Sequence, residues 1–339
     1  MVMQDAIRAL VDGGSIEAPL AAGALEVIMR GEATPAQIGA FLAALRMRGE
    51  TPEVVAACLG VMHAHAERVV APDVIDICGT GGDGIDTINV STAAGFVVAA
   101  CGVRVAKHGN RAASSKCGSA DVLEALGARI DLGGEQIARV IDGCGFCFLF
   151  AQRMHPAMRH VGGPRREMGV RTVFNILGPL SNPADPKRQM VGVGSRGIGP
   201  LVAQALALRG VERALVIHSD DGLDEISPAA ATHAWVVDGG AVTERDFGPA
   251  DFGLPSHALA DVAGGDAQEN ARDILAILDG AEGAKTDFVV LNAAAALWVA
   301  GRAEDSTGGV ATAREAIASG KARQVLDRYV ALSQEVADG

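Results

Sequence analysis

The segment "VIDICGTGGDGIDTINVSTAAGFVVAACG", residues 74–102, decides the fold class because it joins an apolar strand to an apolar helix through a glycine-rich loop. "VIDIC" has the length and composition of a buried strand, and "STAAGFVVAACG" has those of a helix. The alternation continues through "VRVAKH", "SADVLEALG", "GEQIARVIDGCG" and "FCFLF", with further strands at "QMVGVG", "ALVIHS" and "HAWVVD". Strands that alternate with helices predict a mostly parallel sheet covered by helices on both faces.

The residues before this segment predict a different kind of structure. Residues 1–70 have the pattern of four helices with short connections, and "IEAPLAAGALEVIMRG" repeats its apolar positions at helical spacing. Thr34 and Thr51 each stand before a proline, where we expect them to cap helices. The sequence therefore predicts a small helical domain at 1–70 and a large α/β domain at 71–339.

The composition narrows the class of protein. The 339 residues carry a formal net charge of −12, which disfavours non-specific binding to nucleic acid or to an anionic membrane. The start "MVMQDAIRAL" lacks a signal-peptide pattern and the apolar runs are too short to span a membrane, so we expect a cytoplasmic protein. "CGFC" at 144–147 has the spacing of a redox motif, but "FCFLF" reads as a buried strand, which favours core packing for these cysteines.

Basic residues gather in two stretches of this acidic chain. The first is "KHGNRAASSKCGS", residues 107–119, and no Asp or Glu occurs between Asp86 and Asp121. The second sets a group of arginines against a single acid, Glu167. Its arginines are Arg153, Arg159, Arg165, Arg166 and Arg171. Such a concentration predicts a pocket for a small polyanionic ligand.

The loop "GTGGDG", residues 79–84, formally matches the dinucleotide fingerprint G-x-G-x-x-G. That fingerprint expects an acidic residue about 20 residues later, and this chain has the basic "VRVAKHG" there. A simple strand-to-helix turn would explain fewer glycines, whereas exposed backbone N–H groups before a helix suit a phosphate. Asp83 would repel a bare phosphate and suits a metal or a sugar hydroxyl. Ser91 suits either a helix cap or a metal ligand.

An acidic loop, "DDGLDEIS" at 220–227, follows the predicted strand "ALVIHS". Asp224 and Glu225 are the kind of carboxylate pair that holds Mg²⁺ together with water and substrate phosphates. A solvated acidic turn is the alternative, and the nearby phosphate loop favours the metal. Four histidines lack the spacing of a zinc site, and we expect them in loops or at the surface. They are His63, His65, His155 and His160.

Four stretches in this order resemble the anthranilate phosphoribosyltransferase family of tryptophan biosynthesis, and the resemblance covers nearly the whole chain. They are "GTGGDGIDTINVST" (79–92), "KHGNRAASSKCGSADVLEALG" (107–127), "HPAMRHVGGPRREMGVRTVFNILGPLSNP" (155–183) and "DGLDEIS" (221–227). The resemblance implies a fold like that of nucleoside phosphorylases and phosphoribosyltransferases. It also implies a homodimer formed through the helical domain, with help from helices around 155–180.

The implied reaction moves the phosphoribosyl group of phosphoribosyl pyrophosphate to the amine of anthranilate, with Mg²⁺ as cofactor. Negative charge gathers on the departing pyrophosphate, so Lys107 and Arg111 are the expected catalytic donors. By the family pattern Mg²⁺ is expected at Ser91, Asp224 and Glu225, and anthranilate at Gly79, Asn110 and Arg165. The implied phosphoribosyl pyrophosphate site comprises Gly79, Gly82, Asp83, Thr87, Asn89, Val90, Ser91, Thr92, Lys107, His108, Gly109, Asn110, Arg111, Ala112, Ala113, Ser114, Ser115 and Ser119.

The chain departs from the family pattern at a few positions. Cys117 stands where Ser is common, Ile88 where Phe is usual, and "GGPRRE" replaces "GPVRRE", which we expect to alter the loop before Arg165. Two other classes of protein are alternatives to this family. A pyrimidine-nucleoside phosphorylase has a longer chain and a different second loop. A nucleic-acid-binding relative would be basic on one face and would lack the intact "KHGNR" and "DE" motifs.

Overall fold

The α/β part of the molecule is built on one seven-stranded sheet with the strand order β3-β2-β1-β4-β5-β6-β7. The structure is a computed structural model that describes residues 1–112 and 115–338. Strands β1 to β5 run parallel, and β6 and β7 add an antiparallel hairpin, which confirms the mostly parallel sheet. The strands are β1 (Val74–Gly79), β2 (Arg104–Gly109), β3 (Phe146–Phe150), β4 (Arg188–Gly192), β5 (Arg213–Ser219), β6 (Thr232–Asp238) and β7 (Ala241–Phe247).

Helices precede the sheet and cover both of its faces. The first four are α1 (Val2–Arg8), α2 (Ala18–Met29), α3 (Pro35–Arg48) and α4 (Pro52–Ala64). The others are α5 (Val90–Ala100), α6 (Ser119–Ala125), α7 (Gly134–Cys144), α8 (Ala151–Met154), α9 (Arg159–Met168), α10 (Phe174–Leu180), α11 (Gly199–Leu208), α12 (Ala267–Leu278), α13 (Ala284–Val299), α14 (Ser306–Ala318) and α15 (Lys321–Asp338). In the part of the chain that the structure describes, none of them is both long and apolar enough to cross a bilayer.

Two of the early helices begin where the sequence predicts. The Thr34 hydroxyl accepts a hydrogen bond from the Gln37 amide at 3.3 Å, and the Gln37 side-chain oxygen accepts one from the Thr34 amide. The Thr51 hydroxyl accepts from the Val54 amide at 3.3 Å. Each cap satisfies a backbone donor that the first turn leaves unpaired, so the two predicted caps are confirmed.

The sheet separates two hydrophobic cores. One face packs against α5, α7, α13 and α15, where Phe146 lies between Phe96 (ring centroids 4.3 Å apart) and Tyr329 (4.9 Å). The other face packs against α10, α11 and helices α1 to α4. On this face Trp235 lies so close to Gly199 that an added Cβ would overlap the ring. The helices of 1–70 therefore share a core with the sheet, and the division of the chain at residue 70 stays a prediction.

Strand β7 is the element that the sequence did not reveal. It is the edge strand, and its side chains are exposed from Thr243 to Asp246, with Phe247 alone buried. Because an exposed edge strand needs no apolar face of its own, "AVTERDF" carries too few apolar residues to signal a strand.

Glycines at the carboxyl ends of the parallel strands let the loops of the sheet approach one another. A Cβ at Gly79, the end of β1, would lie 2.5 Å from the Asp224 Oδ2. A Cβ at Gly192, the end of β4, would collide with the backbone of Asp224. The loop after β5 can therefore lie against the ends of both strands, at the sheet edge where α/β proteins bind ligands.

Candidate active site

A cavity of about 740 Å³ opens at the carboxyl ends of β1 and β2. It is bordered by the glycine loop, the loop after β2, the acidic pair after β5, and helices α9 and α10. Most of the predicted site residues meet here. Those that border the cavity are Gly79, Gly82, Asn89, Ser91, Thr92, Lys107, His108, Gly109, Asn110, Arg111, Ala112, Ser115, Ser119, Arg165, Asp224 and Glu225.

Among the described residues, three predicted positions do not border this cavity: Asp83, Thr87 and Val90. Val90 opens α5, and its side chain is buried in the core, so only its backbone is open to the predicted binding role. Thr87 forms a β-bridge with Ala263. Burial raises the pKa of the Asp83 carboxyl. Ala113 and Ser114 lie outside the described residues.

The glycine loop is fixed by backbone hydrogen bonds. The Gly81 amide donates to the Asp224 Oδ2 at 2.8 Å, and the Thr80 amide donates to the Gly192 carbonyl at 2.8 Å. Gly81 and Gly82 have φ values of 61° and 76°, a conformation that side chains with a Cβ rarely adopt. The loop therefore needs glycine at these positions and is tied directly to the acidic loop.

Ser91 is the second residue of α5, because the helix begins at Val90. Its hydroxyl makes no cap and accepts a hydrogen bond from the Lys107 Nζ at 3.1 Å. Of the two roles considered for Ser91, the helix cap is therefore wrong, and its oxygen remains a candidate metal ligand.

Lys107 is the buried cation of the site. Its side chain extends from β2, and its Nζ also donates to the Ile77 carbonyl at 2.5 Å. A buried ammonium needs compensating charge. Asp76, Asp224 and Glu225 are the carboxyls that interact with it: burial raises the pKa of all three, and the Lys107 charge opposes that rise.

The acidic pair carries more charge than Lys107 can balance. Burial raises the pKa of Asp224 to about 6, and repulsion from Asp83 adds to the rise. Burial, and then the charge of Asp224, raises the pKa of Glu225 to about 8. Crowded and poorly hydrated carboxylates gain from a divalent cation, so this donor set fits Mg²⁺. In residues 1–112 and 115–338 no group of three His, Cys, Asp or Glu side chains is placed to hold a metal.

The guanidinium of Arg111 is already paired with two carboxylates. Its guanidinium bonds to Glu124 at 2.5 and 2.9 Å and to Asp121 at 3.2 Å, and it lies 5.5 Å from the centre of the Phe150 ring. The hydrogen bonds to Glu124 raise the pKa of this exposed guanidinium. Arg111 therefore borders the cavity with its charge already paired.

Arg165 stands in the part of the wall formed by α9 and α10. Its Nη2 donates to the Asn175 Oδ1 at 3.3 Å, and its Cζ lies 5.4 Å from the centre of the Phe174 ring. The structure corrects one expectation here: the "GGP" before Arg165 is not in a loop, because Pro164 lies inside helix α9. The residues that depart from the family pattern, Gly163 and Pro164, therefore lie within α9, the helix that also carries Arg165.

His155 was expected in a loop or at the surface, and it lies in the loop after α8 but is buried. It is 5% exposed, borders the cavity, and lies with its ring centroid 5.2 Å from that of His108. Burial lowers the pKa of His155 to about 4 and that of His108 well below its usual range, so both rings are neutral. Arg171 was also not assigned, and its Nη2 donates to the Gly81 carbonyl at 3.3 Å. The only sign in the sequence that Arg171 belongs to the site is its place in the second basic stretch.

Comparison with known proteins agrees with this arrangement. Residues 71–323 match the glycosyl transferase family, a/b domain, and residues 4–66 match its helical bundle domain. The anthranilate phosphoribosyltransferase of Rubrobacter xylanophilus is 49% identical over 338 residues, covering 99% of each chain. That of Dehalococcoides mccartyi strain CBDB1 is 47% identical over 341 residues, covering 100% of each chain.

Two solved structures share the fold over almost the entire length. Anthranilate phosphoribosyltransferase from Thermus thermophilus has a TM-score of 0.91 and 42% identity, with 97% of this chain and 99% of that chain covered. The Saccharomyces cerevisiae enzyme, solved in complex with PRPP and Mg, has a TM-score of 0.91 and 28% identity, with 98% of each chain covered. The sequence, the fold and the arrangement of the cavity agree, and the chain belongs to the anthranilate phosphoribosyltransferase family.

Proposed function

We propose that this chain transfers the phosphoribosyl group of 5-phosphoribosyl 1-pyrophosphate to the amine of anthranilate. The products are N-(5-phosphoribosyl)anthranilate and pyrophosphate, and the step belongs to tryptophan biosynthesis. One observation carries the proposal: the glycine loop, the buried Lys107, the acidic pair and Arg165 border a single cavity. Relatives named for this reaction match the chain along its full length.

The first half of the reaction breaks the bond between ribose C1 and the pyrophosphate oxygen. Positive charge then develops on the ribose and negative charge on the pyrophosphate. The ammonium of Lys107 is held in place before reaction by its bonds to the Ile77 carbonyl and the Ser91 hydroxyl, which favours the charged transition state over the ground state. Ser91, Asp224 and Glu225 would hold Mg²⁺. The bound ion would supply positive charge to the pyrophosphate oxygens.

The second half forms the bond from ribose C1 to the anthranilate nitrogen. A neutral arylamine is already a nucleophile and becomes strongly acidic only as it bonds to carbon, so the step requires no dedicated general base. Arg165 suits the anthranilate carboxylate because its guanidinium presents two parallel donors. Asn110 and Gly79 border the same cavity. The site therefore acts by orientation and charge stabilisation.

We also propose a homodimer formed through the helices of residues 1–70. In support, this segment exposes large apolar side chains: Val2, Val11 and Met47 are 43%, 57% and 86% exposed. Light scattering on the purified protein measures the mass in solution, and a monomer at micromolar concentration would contradict this proposal. The cytoplasmic location stays a prediction from the sequence.

The test of the reaction follows the loss of anthranilate fluorescence in the presence of phosphoribosyl pyrophosphate and Mg²⁺. We expect a decay that requires all three components. If phosphoribosyl pyrophosphate binds but anthranilate is not consumed, the phosphate site stands and the acceptor is wrong. A phosphorylase would instead cleave pyrimidine nucleosides when phosphate is added, and that activity would replace the proposal.

A further inference from the structure

Asn89, the residue just before α5, borders the cavity, and its side chain is held by two distant segments. Its Oδ1 accepts hydrogen bonds from the Asn270 Nδ2 at 2.8 Å and from the Cys117 Sγ at 3.3 Å. Its Nδ2 donates to the Cys117 carbonyl at 3.1 Å. The oxygen therefore has a donor in Asn270 and a second in the Cys117 thiol, whose one proton also has the Gly118 carbonyl within reach at 3.5 Å. One of the two protons on the nitrogen is in use.

The direction of this chain of amides is determined by backbone groups at both ends. The Gly265 N–H, which can only donate, bonds to the Asn270 Oδ1 at 2.8 Å, so Asn270 must turn its Nδ2 toward Asn89. The Cys117 carbonyl can only accept, so it must face the Asn89 Nδ2. In the described part of the chain no acceptor meets the second Nδ2 proton of Asn89. That proton is what Asn89 can offer to a ligand.

Asn270 itself lies outside the cavity wall. It belongs to α12 and is 1% exposed. Backbone bonds attach the segment before α12 to residues 86–88, between the glycine loop and α5, without the help of Asn270. The Ile88 amide donates to the Val262 carbonyl at 3.1 Å, and the Gly264 amide donates to the Asp86 carbonyl at 2.9 Å. A change of the Asn270 side chain alone therefore leaves this attachment intact.

We propose that Asn270 is a positioning residue for phosphoribosyl pyrophosphate, which it serves by holding the Asn89 amide with its nitrogen available to the ligand. The proposal rests on the proposed function. Phosphate and ribose oxygens accept hydrogen bonds from an N–H, whereas a reversed amide would place its own oxygen against them. Asn270 and the Cys117 carbonyl together thus hold the orientation of the Asn89 amide, and Asn270 does so from outside the cavity wall. Cys117, with Ser common at this position in the family, keeps a donor toward the same oxygen.

The test compares variants of the full chain with the wild type. In Asn270→Asp one carboxylate oxygen still accepts from Gly265, but the other faces the Asn89 Oδ1 with no proton between them. This repulsion displaces the Asn89 amide, because the Cys117 carbonyl opposes a simple reversal. We expect the KM for phosphoribosyl pyrophosphate to rise by about tenfold to a hundredfold, as for a loss of roughly 1.4 to 2.8 kcal/mol. The KM for anthranilate should stay within about twofold. Calorimetric titration with phosphoribosyl pyrophosphate and Mg²⁺ should show the same loss of affinity.

Asn270→Ala adds no charge and carries the same test if the Asp variant does not fold; we expect its KM for phosphoribosyl pyrophosphate to rise by about fivefold. Ser333→Ala is the matched control. It removes a buried hydroxyl that accepts from the Arg129 amide at 3.0 Å, and should lower stability without changing either KM. In an Asn89→Ala background, Asn270→Ala should have no further effect on KM if the two residues act together.

Two failures are distinguishable. An inactive wild type would overturn the proposed function. An active wild type with an unchanged KM in Asn270→Ala, or with additive effects of Asn89→Ala and Asn270→Ala, would overturn the positioning role and leave the reaction standing. Equal increases in both KM values would also overturn it, because they would indicate a general disturbance of the site.

Discussion

The buried pair Asp224 and Glu225 makes the metal-free protein less stable at high pH, where both carboxyls are charged. We expect Glu225→Gln to raise the free energy of unfolding there. Glu225 lies beside Asp224 in the wall of the cavity. Burial and that neighbour raise the pKa of Glu225 from 4.5 to about 8. The glutamine variant keeps the shape of the side chain but has no charge to bury.

The direction of the effect follows from the raised pKa. The folded protein holds the Glu225 proton more tightly than the unfolded chain does, so its free energy of unfolding falls as the pH rises from 4.5 to about 8 and is level above that. The full shift corresponds to about 5 kcal/mol at 1.36 kcal/mol per pKa unit. Because Glu225 borders the open cavity, the stability effect is smaller than this figure. We therefore expect the variant to be more stable by about 2 to 3 kcal/mol at pH 9 and by under about 1 kcal/mol at pH 5.

The assay is urea unfolding of both proteins at pH 5 and pH 9 in the presence of a chelator. Glu335→Gln, an exposed position in α15, is the control and should change neither value. Added Mg²⁺ should stabilise the wild type more than Glu225→Gln, because the variant lacks one of the proposed metal ligands. An equal difference between wild type and variant at both pH values would refute the reasoning.

Three further outcomes are expected. Lys107→Ala should lower turnover by about a hundredfold or more, the loss typical of one preorganised donor, and an unchanged rate would remove Lys107 from the mechanism. Arg165→Ala should raise the KM for anthranilate by about tenfold and leave that for phosphoribosyl pyrophosphate near wild type; the reverse pattern would reassign the residue. Gly199→Ala should lower the free energy of unfolding by about 1 to 3 kcal/mol in urea, because its Cβ overlaps the Trp235 ring, and full stability would contradict that close packing.

Apolar runs were enough to predict the parallel strands, because strands buried on both faces are mainly apolar, although β2 also carries Lys107 and His108. The glycine loop and the acidic pair could be predicted to meet, since the carboxyl ends of parallel strands lie at one edge of a sheet. Burial of individual polar residues could not be predicted. His155 is covered by packing that its neighbours in sequence do not reveal.

Contacts between distant segments could not be predicted from the sequence either. The bond from Asn270 to Asn89 joins residues 181 positions apart, and a single Asn in an amphipathic helix carries no local sign of a partner. Ser91 shows the same limit at short range. From the sequence its hydroxyl could cap the helix or bind a metal, and only the start of α5 at Val90 excludes the cap.

The polar edge strand has a consequence for the behaviour of the protein at high concentration. An open sheet edge offers unpaired N–H and C=O groups on which a second molecule can add a strand. In β7 the exposed side chains Glu244, Arg245 and Asp246 would have to bring their charges into any such contact. The residues that made this strand hard to recognise thus oppose edge-to-edge aggregation, and they allow the sheet to end in solvent.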